Sequence, residues 1–137
     1  MKDMASITVD ATRENISKVS SFVEAELERL NCPMKETAQI NVAVDELLSN
    51  IVNYAYPNAV GKASLIVEAA GQNAVRITFE DSGVPYNPLA KADPDITLSA
   101  EERKIGGLGI FIVKKTMDGI VYKFENGKNI LAIEKKW

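Results

Sequence analysis

Two stretches of strict alternation, each interrupted by a turn, restrict the fold of this chain more than any other feature of it. Leu65, Val67 and Ala69, then Val75, Ile77 and Phe79, put every second side chain on one face on either side of Gly71-Gln72-Asn73. That is the pattern of a hairpin with one buried face. Residues 120–125 and 129–135 flank Asn126-Gly127, a pair that tolerates positive φ and suits the tight turn of a second hairpin. Sheets built from such hairpins are largely antiparallel and need an apolar cover on one side.

The cover lies upstream. Ser6-Ile7-Thr8-Val9 reads as a short edge strand, and from Thr12, a capping residue with Glu14 in the first turn, Ile16, Val19, Val23, Leu27 and Leu30 mark an amphipathic helix. Asn31-Cys32-Pro33 ends it, and Pro33 suits the first turn of a second helix that runs to Tyr56-Pro57-Asn58. A third, short helix follows Gly106-Gly107-Leu108-Gly109 through Ile110, Val113 and Met117. The segment from about 86 to 105 lacks periodicity and has the length of a functional loop, here read as a lid. The expected fold class is α+β: one domain over residues 1–137, a two-layer α/β sandwich with a mixed, mostly antiparallel sheet and helices on one face.

Composition narrows the function classes. The 137 residues suffice for one unstapled core, and 46% hydrophobic with 26% charged residues is ordinary for a globular chain. No run approaches the roughly 18 apolar residues of a membrane span, and the first residues hold no apolar signal core, so a cytoplasmic protein with no membrane partner is expected. A net charge of −3 without a basic patch argues against direct contact with nucleic acid. One cysteine, Cys32, excludes an intrachain disulfide. With no histidine, a Ser-His-Asp triad and a Cys-His pair are excluded, as is a histidine-ligated zinc site. Cys32 reads as an inert small hydrophobe, and Tyr54 and Tyr56 as packing residues at a helix end.

Three stretches carry chemistry. In the second helix Glu46, Asn50 and Asn53 stand at i, i+4 and i+7, a polar stripe beside Ile40, Ala43, Val44, Leu47 and Ile51. It is either a solvated face or a cavity wall offering a hard oxygen ligand and a base. Asp81, where an alternating strand meets Ser82-Gly83, is either an ordinary turn residue or an acceptor for an exocyclic amine, with Gly83 admitting a flat ring. Gly106-Gly107-Leu108-Gly109 is either a hinge or a phosphate cradle at a helix start, and it is neither a Walker loop nor a full dinucleotide fingerprint.

In this order, Glu46-Leu47-Leu48-Ser49-Asn50 with Tyr54-Ala55-Tyr56, Asp81-Ser82-Gly83-Val84-Pro85 and Gly107-Leu108-Gly109-Ile110 resemble the N box and two glycine boxes of the gyrase, Hsp90, histidine-kinase and MutL ATPases. The N-terminal strand and helix and the run Gly107 to Val113 make the chain similar to the bacterial anti-sigma factor serine-protein kinases over nearly its whole length. The resemblance implies a Bergerat-type fold that binds ATP and Mg2+, with Glu46 as general base and Asn50 as magnesium ligand. It further implies Asp81 as adenine reader, Gly83, Gly107 and Gly109 as positions of close backbone approach, and Asn53, Gly106 and Leu108 beside them. It implies a homodimer that phosphorylates a serine of an anti-anti-sigma (STAS) protein and sequesters a sigma factor. Where that family often carries a histidine, an arginine and a threonine, this chain has Tyr54, Ile105 and Lys128-Asn129. The competing reading is a non-catalytic, nucleotide-gated binding module of the same fold. A free-standing histidine-kinase domain would lack any histidine of its own to phosphorylate.

Overall fold

The computed structural model describes residues 4–90 and 108–137. In chain order the elements are β1 (Met4–Asp10), α1 (Ile16–Arg29), α2 (Met34–Asn50), β2 (Lys62–Ala69), β3 (Ala74–Asp81), α3 (Leu108–Thr116), β4 (Gly119–Glu125) and β5 (Lys128–Lys136). The strands form one five-stranded sheet in the order β1-β2-β3-β5-β4, and every pairing in it is antiparallel. β1 is an edge, as its length and position suggest.

Register follows the alternation. Leu65 pairs with Phe79 and Val67 with Ile77 across the first hairpin, and Ile77 and Phe79 pair with Ile133 and Leu131 of β5. All six are buried against Val19, Val23 and Leu27 of α1, Ile40, Ala43, Val44, Leu47 and Leu48 of α2, and Ile110 and Val113 of α3. The opposite sheet face carries Arg76, which donates to Glu68 at 3.0 Å and Glu134 at 2.8 Å across three neighbouring strands. Those two hydrogen bonds, Glu68 first, hold the Arg76 guanidinium above its ordinary pKa. The second hairpin turns at Asn126 (φ 54°) and Gly127 (φ 76°), the left-handed pair that an Asn-Gly turn requires.

Two local expectations need correction. Thr12 makes no side-chain cap bond; a tight turn at Arg13–Asn15 precedes α1, and the Thr12 hydroxyl is buried without a partner. Asn15 instead donates its amide to the Asp10 carbonyl at 2.9 Å, anchoring the turn to β1. The second helix also does not stay α-helical to Tyr56: after Asn50 it widens into a π-helical turn over Ile51–Ala55. Such widened turns rotate side chains out of the 3.6-residue phase.

Candidate functional site

The end of α2, the C-terminal end of β3 and the start of β5 meet around one pocket. Asn50, Leu47 and Ile51 line one wall, Phe79 and Asp81 the floor, and Asn129, Leu131, Tyr122, Tyr86 and Pro88 the rest. The cavity it encloses is about 30 Å³. That is room for about two waters, by the rule of one water per 10–15 Å³.

Asp81 is 7% exposed, and its Oδ1 accepts from the Gly83 backbone N–H at 2.9 Å and from Asn129 Nδ2 at 2.9 Å. The Asp-Ser-Gly turn is therefore an Asx turn, and β5 supplies a second donor through the register pair of Asp81 with Asn129. Gly83 is required by packing: a Cβ there would lie 2.2 Å from the Ala55 carbonyl oxygen, and that carbonyl accepts from Val84 N at 2.9 Å. The close backbone approach that this glycine permits is to the π-helical turn. Tyr56 completes the junction, donating to the Lys62 carbonyl at 2.7 Å and accepting from Ser82 N at 2.8 Å. Burial pushes the Tyr56 phenol pKa up, outweighing the bond from Ser82.

The polar stripe of α2 separates into three environments. Asn50 lines the pocket, and its Nδ2 is buried with no hydrogen-bond partner among the described residues. One turn earlier, Glu46 is pressed against the first turn of α3: a Cβ on Gly109 would fall 2.2 Å from the Glu46 Cδ and 2.3 Å from Oε1. Gly109 is thus the position that lets the α3 backbone touch this carboxylate. Asn53 does not line the pocket; it is exposed and accepts from Arg13 Nη2 at 3.2 Å. The widened turn carries it out of line with Glu46 and Asn50, so the expected three-residue stripe is reduced to two.

Gly106 and Gly107 and most of the expected lid lie outside the described residues, and of Leu108 only the backbone, opening α3, is described. At the lid's root Tyr86 stacks on Tyr54, with ring centroids 5.0 Å apart and an interplanar angle of 25°. Tyr54 is therefore a packing residue whose partner faces the pocket. Cys32 sits partly buried against the core, and burial raises its thiol pKa, in keeping with an inert side chain. The arrangement offers a carboxyl acceptor at Asp81 and an amide at Asn50 on one pocket, with a carboxylate one helical turn before Asn50.

Sequence reasoning missed Tyr122, met Tyr86 only as the start of the expected lid, and noted Asn129 only as standing where the resembling family often carries a threonine. For Asn129 a signal existed: it occupies the inward phase of Asn129, Leu131 and Ile133, where a polar side chain is buried and needs a reason.

Comparison with known proteins places this arrangement. Residues 9–135 match the histidine kinase-like ATPase domain family. An anti-sigma F factor of Clostridium perfringens (strain SM101 / Type A) is 27% identical over 123 residues, covering 90% of this chain and 86% of the relative. A serine-protein kinase RsbW of Bacillus cereus (strain AH820) is 26% identical over 127 residues, covering 90% and 79%. Among solved structures, the RsbU and RsbW domains of Rv1364c from Mycobacterium tuberculosis superpose with a TM-score of 0.71 at 18% identity, over 98% of this chain and 32% of that longer one. The catalytic domain of the histidine kinase ThkA superposes with a TM-score of 0.50 at 14% identity, over 98% and 97%. At those identities the two structures speak for the fold.

Proposed function

The chain belongs to the histidine kinase-like ATPase domain family, and on that premise we propose that it is an ATP-binding protein-serine kinase and anti-sigma factor. Its substrate is a serine of an anti-anti-sigma (STAS) protein, and its second partner is a sigma factor. The relatives named as anti-sigma factor and serine-protein kinase support this reading. The observation that carries it is the convergence of Asp81 and Asn50 on one pocket, with Glu46 a turn away against Gly109.

Each residue has a physical task in that reading. Asp81 Oδ2, which takes no hydrogen bond among the described residues, accepts from the adenine amine. The buried Asn50 amide has a donor to spend on a phosphate oxygen. Turned over about its last torsion, the same amide presents its oxygen to a hard cation, so the donor set fits Mg2+, which needs one or two protein oxygens beside phosphates. Bound magnesium would neutralise phosphate charge. Glu46 takes the proton of the attacking serine hydroxyl. The roles of Gly106 and Gly107 rest on sequence: with Leu108 and Gly109 they put side-chain-free backbone N–H groups at the start of α3, where the helix dipole favours phosphate. The narrow pocket implies that a bound base displaces the Tyr86 ring.

The reading is tested by incubating the purified chain with magnesium ATP and its STAS partner. Phosphoserine on the partner is the expected result; nucleotide binding without transfer would leave the non-catalytic module instead. Equal affinity for ATP and GTP would contradict adenine reading by Asp81.

A further inference from the structure

We infer that Asn129 sets the purine choice of this site by holding Asp81 Oδ1 and leaving Oδ2 for a ligand. The inference rests on the nucleotide reading above and adds the residue that enforces it. Asn129 is 7% exposed, and its amide makes four hydrogen bonds. Nδ2 donates to Asp81 Oδ1 and to the Val84 carbonyl, each at 2.9 Å. Oδ1 accepts from Tyr86 N at 3.0 Å and from the Tyr122 hydroxyl at 2.5 Å.

Two of these partners fix the polarity of the whole network. A backbone carbonyl can only accept and a backbone N–H can only donate, so Val84 and Tyr86 allow the amide one orientation. The second Nδ2 proton then has to point at Asp81 Oδ1, which already accepts from Gly83 N. Oδ1 is thereby saturated by two donors. Oδ2 is left, and as an acceptor it attracts a ring amine and repels a ring carbonyl, which separates a 6-amino purine from a 6-oxo purine. Only a primary amide offers two donors on one atom and two acceptor sites on the other; a hydroxyl at this position satisfies at most part of the set. The same amide ties down Tyr86, so base reading and the root of the lid share one side chain.

Among the described residues Asp81 forms no ion pair. Tyr86 and Tyr122 share its pocket, and Tyr56 bonds the adjacent Ser82. The charged residues on neighbouring strands pair with each other, Lys128 with Glu80 at 3.8 Å and Lys62 with Asp10 at 2.6 Å.

The test compares the full chain with Asn129→Ser and Asn129→Leu, measuring ATP and GTP affinity calorimetrically. Asn129→Ser, folded by circular dichroism, should lose about tenfold of the ATP-over-GTP preference, because a hydroxyl fills only part of the amide's set. Asn129→Leu, which offers Asp81 no donor, should lose at least as much. A folded variant of either kind that keeps the preference would overturn the inference. An unmodified chain that binds no nucleotide would overturn the nucleotide reading itself.

Discussion

The two ends of the pocket are built on opposite principles. At the Asp81 end every hydrogen-bonding position of Asn129 is filled, and Asp81 Oδ1 holds two donors. At the Asn50 end a buried amide nitrogen has no partner among the described residues, and Glu46 lies close against the bare backbone of Gly109. An unpaired buried donor costs about 1–3 kcal/mol. In the reading proposed above, that donor is reserved for a hydrogen-bond acceptor of the ligand, as Asp81 Oδ2 is for a donor. In that reading the base end is preorganised by the protein alone, whereas the phosphate end is completed by what binds.

The largest expected effect lies at the phosphate end. Glu46→Ala should lower phosphoryl transfer to the STAS partner by roughly 10²–10⁴-fold while ATP affinity stays nearly unchanged. Radiolabelled transfer beside a binding titration reads both, and equal losses in the two would mean that Glu46 only holds the site together. Next comes Gly109→Ala, whose new methyl collides with the Glu46 carboxylate. Because the obstacle is the end of a flexible side chain, melting should move little, yet displacing a reacting group by about 1 Å can cost as much as 10²-fold in rate. Unchanged turnover would show that the carboxylate need not rest on α3.

At the base end the effects should be smaller and fall on binding. Asp81→Asn should cost about 1.5–3 kcal/mol of ATP affinity through loss of a charge-assisted bond, and the preference over GTP should shrink with it. The weakest expected effect is that of Tyr56→Phe, which strips a hydroxyl from between Lys62 and Ser82. It should lower unfolding free energy by about 1–2 kcal/mol in a urea titration and leave nucleotide selectivity in place. A selectivity change there would mean that the Ser82 turn, and not the Asp81 carboxylate alone, sets the reading.

Local pattern made one half of this site legible and hid the other. Glu46 and Asn50 sit on an α-helix where a separation of four residues fixes a shared face, and Asp81 ends a strand whose alternation is unbroken. Asn53, expected on the same face, bonds Arg13 instead of lining the pocket, and the π-helical turn it stands in leaves no mark in hydrophobic spacing. Gly83 was expected to admit a ligand ring, and the nearer neighbour is Ala55, thirty or so positions earlier in the chain. Contacts of that separation depend on how a helix end docks on a loop, which short-range periodicity does not encode.

The sequence by itself determined the antiparallel hairpins, the helical cover, the inward face of each strand and the three chemical stretches, because those follow from spacings of two and 3.6 residues. Only the tertiary structure decided that Asn129 faces Asp81 across a strand pair, that Gly109 seats Glu46, and that Asn53 leaves the pocket for Arg13. Each of those depends on elements far apart in the chain being packed to within a few tenths of an ångström. Strand register and helix docking fix that distance, and no local pattern does.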